Sequence, residues 1–312
     1  MKILLTGASS FTGSWFAMAL ADAGHEVTAT FRGSAQSYAD TRAERVSRIL
    51  SKVEPVWRVE FGDDSFFDAV EKRSFDLICH HAAEMTDYRS WDFDAIDATA
   101  KNIRGARRLL TDLAERGGGK LILTGSVFEP YEGVGDRESR AFNPYGLSKH
   151  LTFEVFRMEA ERLRLSLGKF VIPNPFGPYE EPRFTAYLMK EWSAGRKPTV
   201  GTPVYVRDNI HVSLLSLAYR DFCEALNEEP GLLRAAPSGY IESQGAFARR
   251  VSREMATRTG WACDVGEASQ TEFSEPLVRT NTALEAQAQS AWSESVAWDA
   301  MAEFYTTRLK AS

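Results

Sequence analysis

Short apolar runs alternate with stretches in which apolar residues recur every three or four positions. The runs at Lys2–Leu5, Val27–Phe31, Pro55–Glu60, Asp76–His80, Lys120–Thr124 and Lys169–Ile172 predict buried strands. The amphipathic stretches Phe11–Ala23, Tyr38–Ser51, Ser65–Lys72, Asp94–Arg116 and Pro144–Leu165 predict helices between them. Gly117-Gly118-Gly119 stops the fourth helix before the fifth strand. This alternation predicts an α/β fold, a doubly wound parallel sheet with helices on both faces. After Pro173 the pattern breaks, with Pro173, Pro175, Gly177, Pro178 and Pro182 close together. We read residues 1–172 as a nucleotide-binding domain. Residues 173–312 then form mainly a smaller C-terminal lobe, with some segments returning to the sheet. Two later helices are expected there, Ser243–Thr259 and Val296–Leu309.

Composition narrows the class. The 312 residues are 44% hydrophobic and 26% charged, ordinary for a globular protein. A net charge of −6 argues against a general nucleic-acid binder. Cys79, Cys223 and Cys263 form no CxxC pair, so neither a zinc site nor a disulfide framework is indicated, and a reducing, cytoplasmic location fits. The first strand begins at Lys2, which leaves no room for a signal peptide. No apolar run approaches the ~20 residues that span a bilayer, so no membrane partner is expected.

The richest chemistry lies in Lys2–Gly13, KILLTGASSFTG. A buried strand, a glycine turn and a helix in this order open a Rossmann sheet. Gly7 suits a turn closed to other residues, and Gly13 lets helix and strand approach. The helix start at Ser10, Phe11 and Thr12 then offers backbone N–H groups to a pyrophosphate. Ser10 stands where the middle glycine is usual. The second strand ends without the acid that normally accepts from the adenosine ribose of NAD. Arg32 follows it instead, with Ser34 close by, and a guanidinium suits a 2′-phosphate. NADP(H) is therefore expected, with NAD possible.

Tyr145 and Lys149, four residues apart, share one face of a helix. A tyrosine with an ordinary pKa of ~10 exchanges protons near neutrality only if a nearby cation stabilises its phenolate. On the fifth strand, Thr124 or Ser126 is placed to hold the reacting oxygen, at the sheet end where ligands sit. The adjacent His80 and His81 project to opposite faces and so make no metal site.

At this point the chain resembles the extended short-chain dehydrogenase/reductases, the NAD(P)-dependent sugar epimerase/dehydratase family. The resemblance runs from Lys2 to about Ala218. It rests on Thr6-Gly7…Gly13, Gly62-Asp63, His80-His81-Ala82-Ala83, Asn102, Thr124, Tyr145…Lys149, Asn174-Pro-Phe-Gly177-Pro178 and Val206–Val212. It implies that Asp63, with Asp64 beside it, serves the adenine, and that the Ala82-Ala83 backbone lines the cofactor. It implies Thr124, Tyr145 and Lys149 as catalytic residues, and Asn174 and Arg207, with Ser126, as contacts of a nucleotide-sugar substrate. Leu214 stands where an acid is usual. Gly125 and Ser126 replace the acidic residues of sugar 4,6-dehydratases, which disfavours water elimination unless Glu84 or Glu129 enters from another loop.

The expected reaction is NADP-dependent reduction of a 4-keto sugar. The alternatives are a nucleotide-sugar 4-epimerase with tightly bound NAD(P), and a non-catalytic NADP-binding regulator. The resemblance further implies a homodimer built on the fourth and fifth helices, with Phe153, Phe156, Leu163 and Leu165 as candidate contacts.

Overall fold

The computed structural model describes residues 1–117, 119–137, 140–228, 231–283 and 292–310. Gly118, the middle of the expected glycine stop, lies outside them. In chain order the elements begin β1 (Lys2–Thr6), α1 (Phe11–Asp22), β2 (Glu26–Phe31), α2 (Asp40–Ile49), β3 (Glu54–Trp57), α3 (Asp64–Glu71), β4 (Leu77–His80), α4 (Ala95–Asn102), α5 (Ala106–Glu115) and β5 (Lys120–Ser126). They continue β6 (Val134–Gly135), α6 (Pro144–Leu163), β7 (Ser166–Ile172), β8 (Asn174–Phe176), α7 (Phe184–Ser193), β9 (Thr199–Val200), β10 (Val206–His211) and α8 (Val212–Glu228). The last are β11 (Leu232–Ala235), β12 (Tyr240–Ser243), α9 (Gln244–Thr259), β13 (Gly266–Glu267), β14 (Val278–Thr280) and α10 (Glu294–Lys310).

The chain divides into two units. The first contains residues 1–132, 139–172 and 216–236. Its seven-stranded sheet runs β11-β7-β5-β4-β1-β2-β3, parallel throughout. The strand order reverses between β1 and β4, and ligands bind at such a switch point. Thr6 lies level with His80 there. On one face Leu4, Ile78, Leu121 and Leu123 meet Phe66, Leu109, Leu110 and Phe156. Burying each such side chain stabilises by about 1.5–3 kcal/mol. On the other face Phe16 stacks on Tyr219 at 3.9 Å, with Phe170 edge-on to both.

Several expectations are corrected. The helix expected over Asp94–Arg116 is two helices, because Gly105 takes φ +66° between them. A Cβ on the facing Gly62 would lie 1.9 Å from the Arg104 carbonyl oxygen, so chain and turn meet backbone to backbone. β3 stops at Trp57 rather than Glu60, where Arg58 adopts φ +59°. β7 starts at Ser166, three residues earlier than the apolar run suggested. Gly168 belongs to it because a Cβ there would lie 2.9 Å from Phe222. β11 carries no clear apolar pattern and was not anticipated. Phe153, Phe156, Leu163 and Leu165 pack into the sheet core rather than offering a dimer surface.

The second unit contains residues 133–138, 173–215 and 237–312. Its main sheet runs β12-β10-β14-β6, with β8 beside β10, and β9 pairs with β13. Its core gathers Trp192, Phe247, Trp298 and Met301 from α7, α9 and α10. Among the described residues, no helix is long and apolar enough to cross a membrane.

Candidate active site

The site is built at the C-terminal ends of β1, β4 and β5. Gly7 takes φ +75°, and a Cβ there would lie 2.8 Å from the Ala82 nitrogen. One on Gly13 would lie 2.3 Å from the Gly7 carbonyl oxygen. Both positions therefore exclude a side chain. Ser10 caps α1: its Oγ accepts from the Gly13 N–H at 3.1 Å. The first turn, which starts with the buried Phe11 and Thr12, carries no acidic residue. A helix N-terminus with no carboxylate on it, reached by glycine on both sides, fits an anionic pyrophosphate. Thr6 Oγ1 accepts from the His81 and Ala82 N–H groups at 3.1 and 3.0 Å, which locks the ends of β1 and β4 together.

The two histidines separate as strand alternation requires. His80 Nδ1 lies 3.0 Å from Thr6 Oγ1, and its ring stacks on Phe61 at 3.6 Å. His81 turns to the other face. Its Nε2 lies 3.1 Å from Ser10 Oγ and 3.0 Å from Thr12 Oγ1, and its Nδ1 lies 2.9 Å from Thr124 Oγ1. Burial pushes both imidazoles down to about 3, with the Lys149 cation adding to the effect, so both are neutral at physiological pH. His81 thus ties the phosphate loop to Thr124. Its place between two serine/threonine hydroxyls and a strand end was not legible from its spacing.

Tyr145 and Lys149 occupy the first two turns of α6. Asn143 caps this helix, its Oδ1 accepting from Gly146 N–H at 2.9 Å, and Pro144 follows at the first helical position. A Cβ on Gly146 would lie 2.1 Å from the Phe128 carbonyl oxygen, so the helix start lies hard against the turn after β5. The Tyr145 ring packs edge-on to Tyr88 and Phe93. Lys149 is buried and lines a small cavity with His80, Ala82, Thr124, Gly125, Glu129, Phe153 and Lys169. Burial lowers its pKa to about 8. Glu129 opposes that fall and Lys169 adds to it.

Beneath Lys149 lies a chain of charges, buried at Glu129, Lys169 and Glu132 and ending at the exposed Arg234. The Glu129 carboxylate folds back over β5: Oε1 accepts from Ser126 N–H at 2.7 Å, and Oε2 pairs with Lys169 Nζ at 2.6 Å. Lys169 also pairs with Glu132 at 2.7 Å, and Glu132 with Arg234. A Cβ on Gly125 would lie 2.9 Å from Glu129 Oε1 and 3.0 Å from Lys169 Cε. Gly125, read in the sequence as a missing acid, is the space that this pair occupies. The sequence reading missed this pair; the lysine inside the otherwise apolar run Ser166–Ile172 is the signal that could have found it.

The remaining predicted residues are placed as follows. Arg32 is exposed at the end of β2, and Ser34 precedes the short helical turn Ala35–Ser37. Arg42, which sequence reasoning missed, donates to Ser9 Oγ from Nε at 3.2 Å and Nη2 at 3.0 Å. Asp63 caps α3, its Oδ1 accepting from Phe66 N–H at 3.0 Å and Ser65 Oγ at 2.6 Å. Asp64 is exposed and Ala83 half-buried. Ser126 Oγ accepts from Phe128 N–H at 3.2 Å. Asn174 and Arg207 belong to the second unit. There Asn174 is level with Asn209 across β8 and β10. Arg207 pairs with Glu275 at 2.8 Å and lies over the Tyr205 ring, while Asp208 accepts from the Gly239 and Asn281 N–H groups. Among the described residues, no group of three His, Cys, Asp or Glu could hold a metal ion.

The chain matches the model of the NAD dependent epimerase/dehydratase family over residues 3–224. No curated protein matches it in sequence. In fold it is similar to UDP-glucose 4-epimerase from Thermotoga maritima, solved with UDP-glucose (17% identity, 99% of this chain and 100% of that one, TM-score 0.75). It is also similar to UDP-glucuronic acid 4-epimerase from Bacillus cereus, in complex with UDP-glucuronic acid and NAD (18%, 99% and 100%, TM-score 0.74). A third similar structure is the dTDP-glucose 4,6-dehydratase of Streptomyces venezuelae, solved with NAD (19%, 100% and 98%, TM-score 0.73). With a glycine-turn crevice at the β1/β4 switch point and most of its length matched, this chain belongs to the NAD-dependent epimerase/dehydratase family.

Proposed function

We propose that this protein transfers hydride at a sugar carbon of a nucleotide-sugar, in the direction of 4-keto reduction, with NADP(H) as cofactor. The observation that carries the reading is the placement of Tyr145 and Lys149 at the capped start of α6, above a cavity at the ends of β4 and β5. A pure cofactor binder needs no buried lysine one turn below a tyrosine. The nicotinamide, when bound, supplies the hydride. Tyr145 delivers the proton to the carbonyl oxygen, and the Lys149 cation stabilises the phenolate left behind. Thr124, held by His81, positions the reacting oxygen. Gly7, Gly13 and the start of α1 hold the pyrophosphate, and Ala82 and Ala83 line the cofactor. Asp63 retains one carboxylate oxygen for the adenine. Asn174 and Arg207 serve the substrate diphosphate, Arg207 exchanging Glu275 for phosphate.

Support for NADP(H) comes from the end of β2, which lacks an acid and carries Arg32, with Arg42 anchored on Ser9 nearby in sequence and fold. A second reading, a 4-epimerase with tightly bound NAD(P), draws on the two similar 4-epimerases, one solved with NAD. Elimination of water is disfavoured, because the Glu129 carboxylate is engaged by Lys169 and Ser126 and Glu84 Oε1 accepts from Thr86 N–H at 2.8 Å. We also assign a homodimer to the α4/α6 surface, where Ile96, Leu147, Leu151 and Met158 are exposed. Light scattering giving a monomer would remove that assignment.

The test is thermal-shift titration with NADPH, NADH and a panel of nucleotide diphosphates, followed by turnover of 4-keto nucleotide-sugars. Ligands that bind the folded state raise the melting point by mass action. Stabilisation by NADPH above NADH and by a nucleoside diphosphate is expected. No response to any nucleoside diphosphate would overturn the nucleotide-sugar assignment. Interconversion of two sugars without net NADPH consumption would favour the epimerase.

A further inference from the structure

We propose that Glu129 and Lys169 are positioning residues that set the charge of Lys149 from beneath. This rests on the hydride-transfer reading only for its catalytic meaning. The electrostatic arrangement is a property of the folded chain itself. Lys149 and Lys169 line one cavity, and neither is open to solvent. Two buried ammonium groups in one cavity repel, and each disfavours the other's charge. Glu129 lines the same cavity, is 0% exposed, and pairs with Lys169 at 2.6 Å. Glu129, Glu132, Lys169 and Arg234 alternate in sign and sum to zero, leaving Lys149 as the extra cation.

Among the described residues, titratable groups face Lys149 from several elements. His80 and His81 come from the end of β4 and are neutral. Tyr145 lies on its own helix. Glu129 and Glu132 come from the turn after β5, Lys169 from β7 and Arg234 from β11. Of these, Glu129 and Lys169 are the buried charged groups on the cavity wall, one favouring the lysine cation and the other opposing it, beside the neutral His80. Burial weakens the hold of Lys149 on its proton, and a carboxylate and a second lysine then pull its charge in opposite directions.

The experiment measures the titration of Lys149 in the protein without cofactor. Lysine-labelled chain is followed by NMR at 13Cε, with Lys149→Met assigning the signal. In Glu129→Gln the carboxylate on the cavity wall is lost while Lys169 stays charged beside Glu132, and the Lys149 midpoint falls by about one pH unit. In Lys169→Met the opposing cation is removed while the Glu129 carboxylate stays, and the midpoint rises by about as much. The double variant E129Q/K169M leaves neither charge, and its midpoint returns near the parent value. If a single variant fails to fold, the double variant still decides, because a midpoint displaced by about a unit there overturns the proposal. Shifts of the same sign in both single variants, or none, also overturn it. The alkaline limb of turnover moves with each midpoint, downward in Glu129→Gln and upward in Lys169→Met. Opposite NMR shifts without turnover of any 4-keto nucleotide-sugar would keep the charge pair and remove the hydride-transfer reading. Turnover with immobile midpoints would do the reverse.

Discussion

The two units bury a carboxylate in opposite ways. In the first, Glu129 is fully enclosed but meets Lys169, a backbone N–H and a further ion pair. In the second, Glu180 is nearly as enclosed, 6% exposed; its side-chain hydrogen bonds come from hydroxyls, and Arg183 and the Ala186 backbone only partly offset its burial. Tyr305 donates to its Oε1 at 2.7 Å, Thr185 donates to the same oxygen, and no hydrogen bond reaches Oε2. Burial pushes the Glu180 carboxyl up to about 7. A cation built into direct contact favours the charge of a buried acid, whereas hydroxyl partners leave burial to push it toward its protonated form. The first solution places a lysine, Lys169, in a core. It occurs where, in our reading, a nearby cation has work to do.

The sharpest way to break that contrast is Tyr145→Phe, which removes the group the Lys149 cation is said to serve. Turnover should fall by about 10²–10⁴-fold with the melting point little changed. Full activity in steady-state assays would leave the charges beneath α6 without a catalytic purpose. Lys169→Met tests the other half of the comparison. It removes the cation paired with the buried Glu129, leaves Glu132 to Arg234, and should destabilise the fold by about 3 kcal/mol in denaturant titration. A neutral result would mean that the ion pair is merely tolerated.

Glu180 carries a smaller effect with a definite sign. Its folded pKa lies above that of a free carboxyl, so its contribution is complete below the usual carboxylate range. That contribution is lost as pH rises through about 7. The loss is about 3 kcal/mol at most, by the size of the shift. Glu180→Gln, always neutral, should be the more stable form at pH 8 and equal to the parent at pH 4.5 in melting experiments. Equal pH dependence of the two chains would show that the carboxyl ionises freely. The smallest expected effect is at the exposed Arg32. Arg32→Ala should weaken NADPH binding about tenfold, roughly 1.4 kcal/mol, and leave NADH unchanged by calorimetry. An equal loss for both cofactors would move the 2′-phosphate contact elsewhere, with Arg42 on Ser9 the next residue to alter.

Much of the framework is legible in the sequence. The six expected strands all occur, as do the two helices expected late in the chain, at Gln244–Thr259 and Glu294–Lys310. Periodicity and caps are local signals, and these elements carry them. The glycine turn was equally plain, since Gly7 and Gly13 are demanded by backbone contacts only a few ångströms long. What failed to show had non-local causes. β11 is an edge strand with alternating exposure that exists because β7 offers it a partner. The break at Gly105 comes from its meeting with Gly62, forty-odd positions earlier in the chain.

The sequence by itself determined the parallel sheet, its nucleotide-binding opening and the Tyr145–Lys149 spacing, because each follows from residues within a turn or two of one another. Tertiary structure alone decided what surrounds them. It put His81 between Ser10, Thr12 and Thr124, and it put Phe153 and Phe156 inward rather than on a dimer surface. It also brought Glu129, Glu132, Lys169 and Arg234 from three separate segments under one lysine. Charge compensation acts through space at a few ångströms, and no spacing along the chain records it.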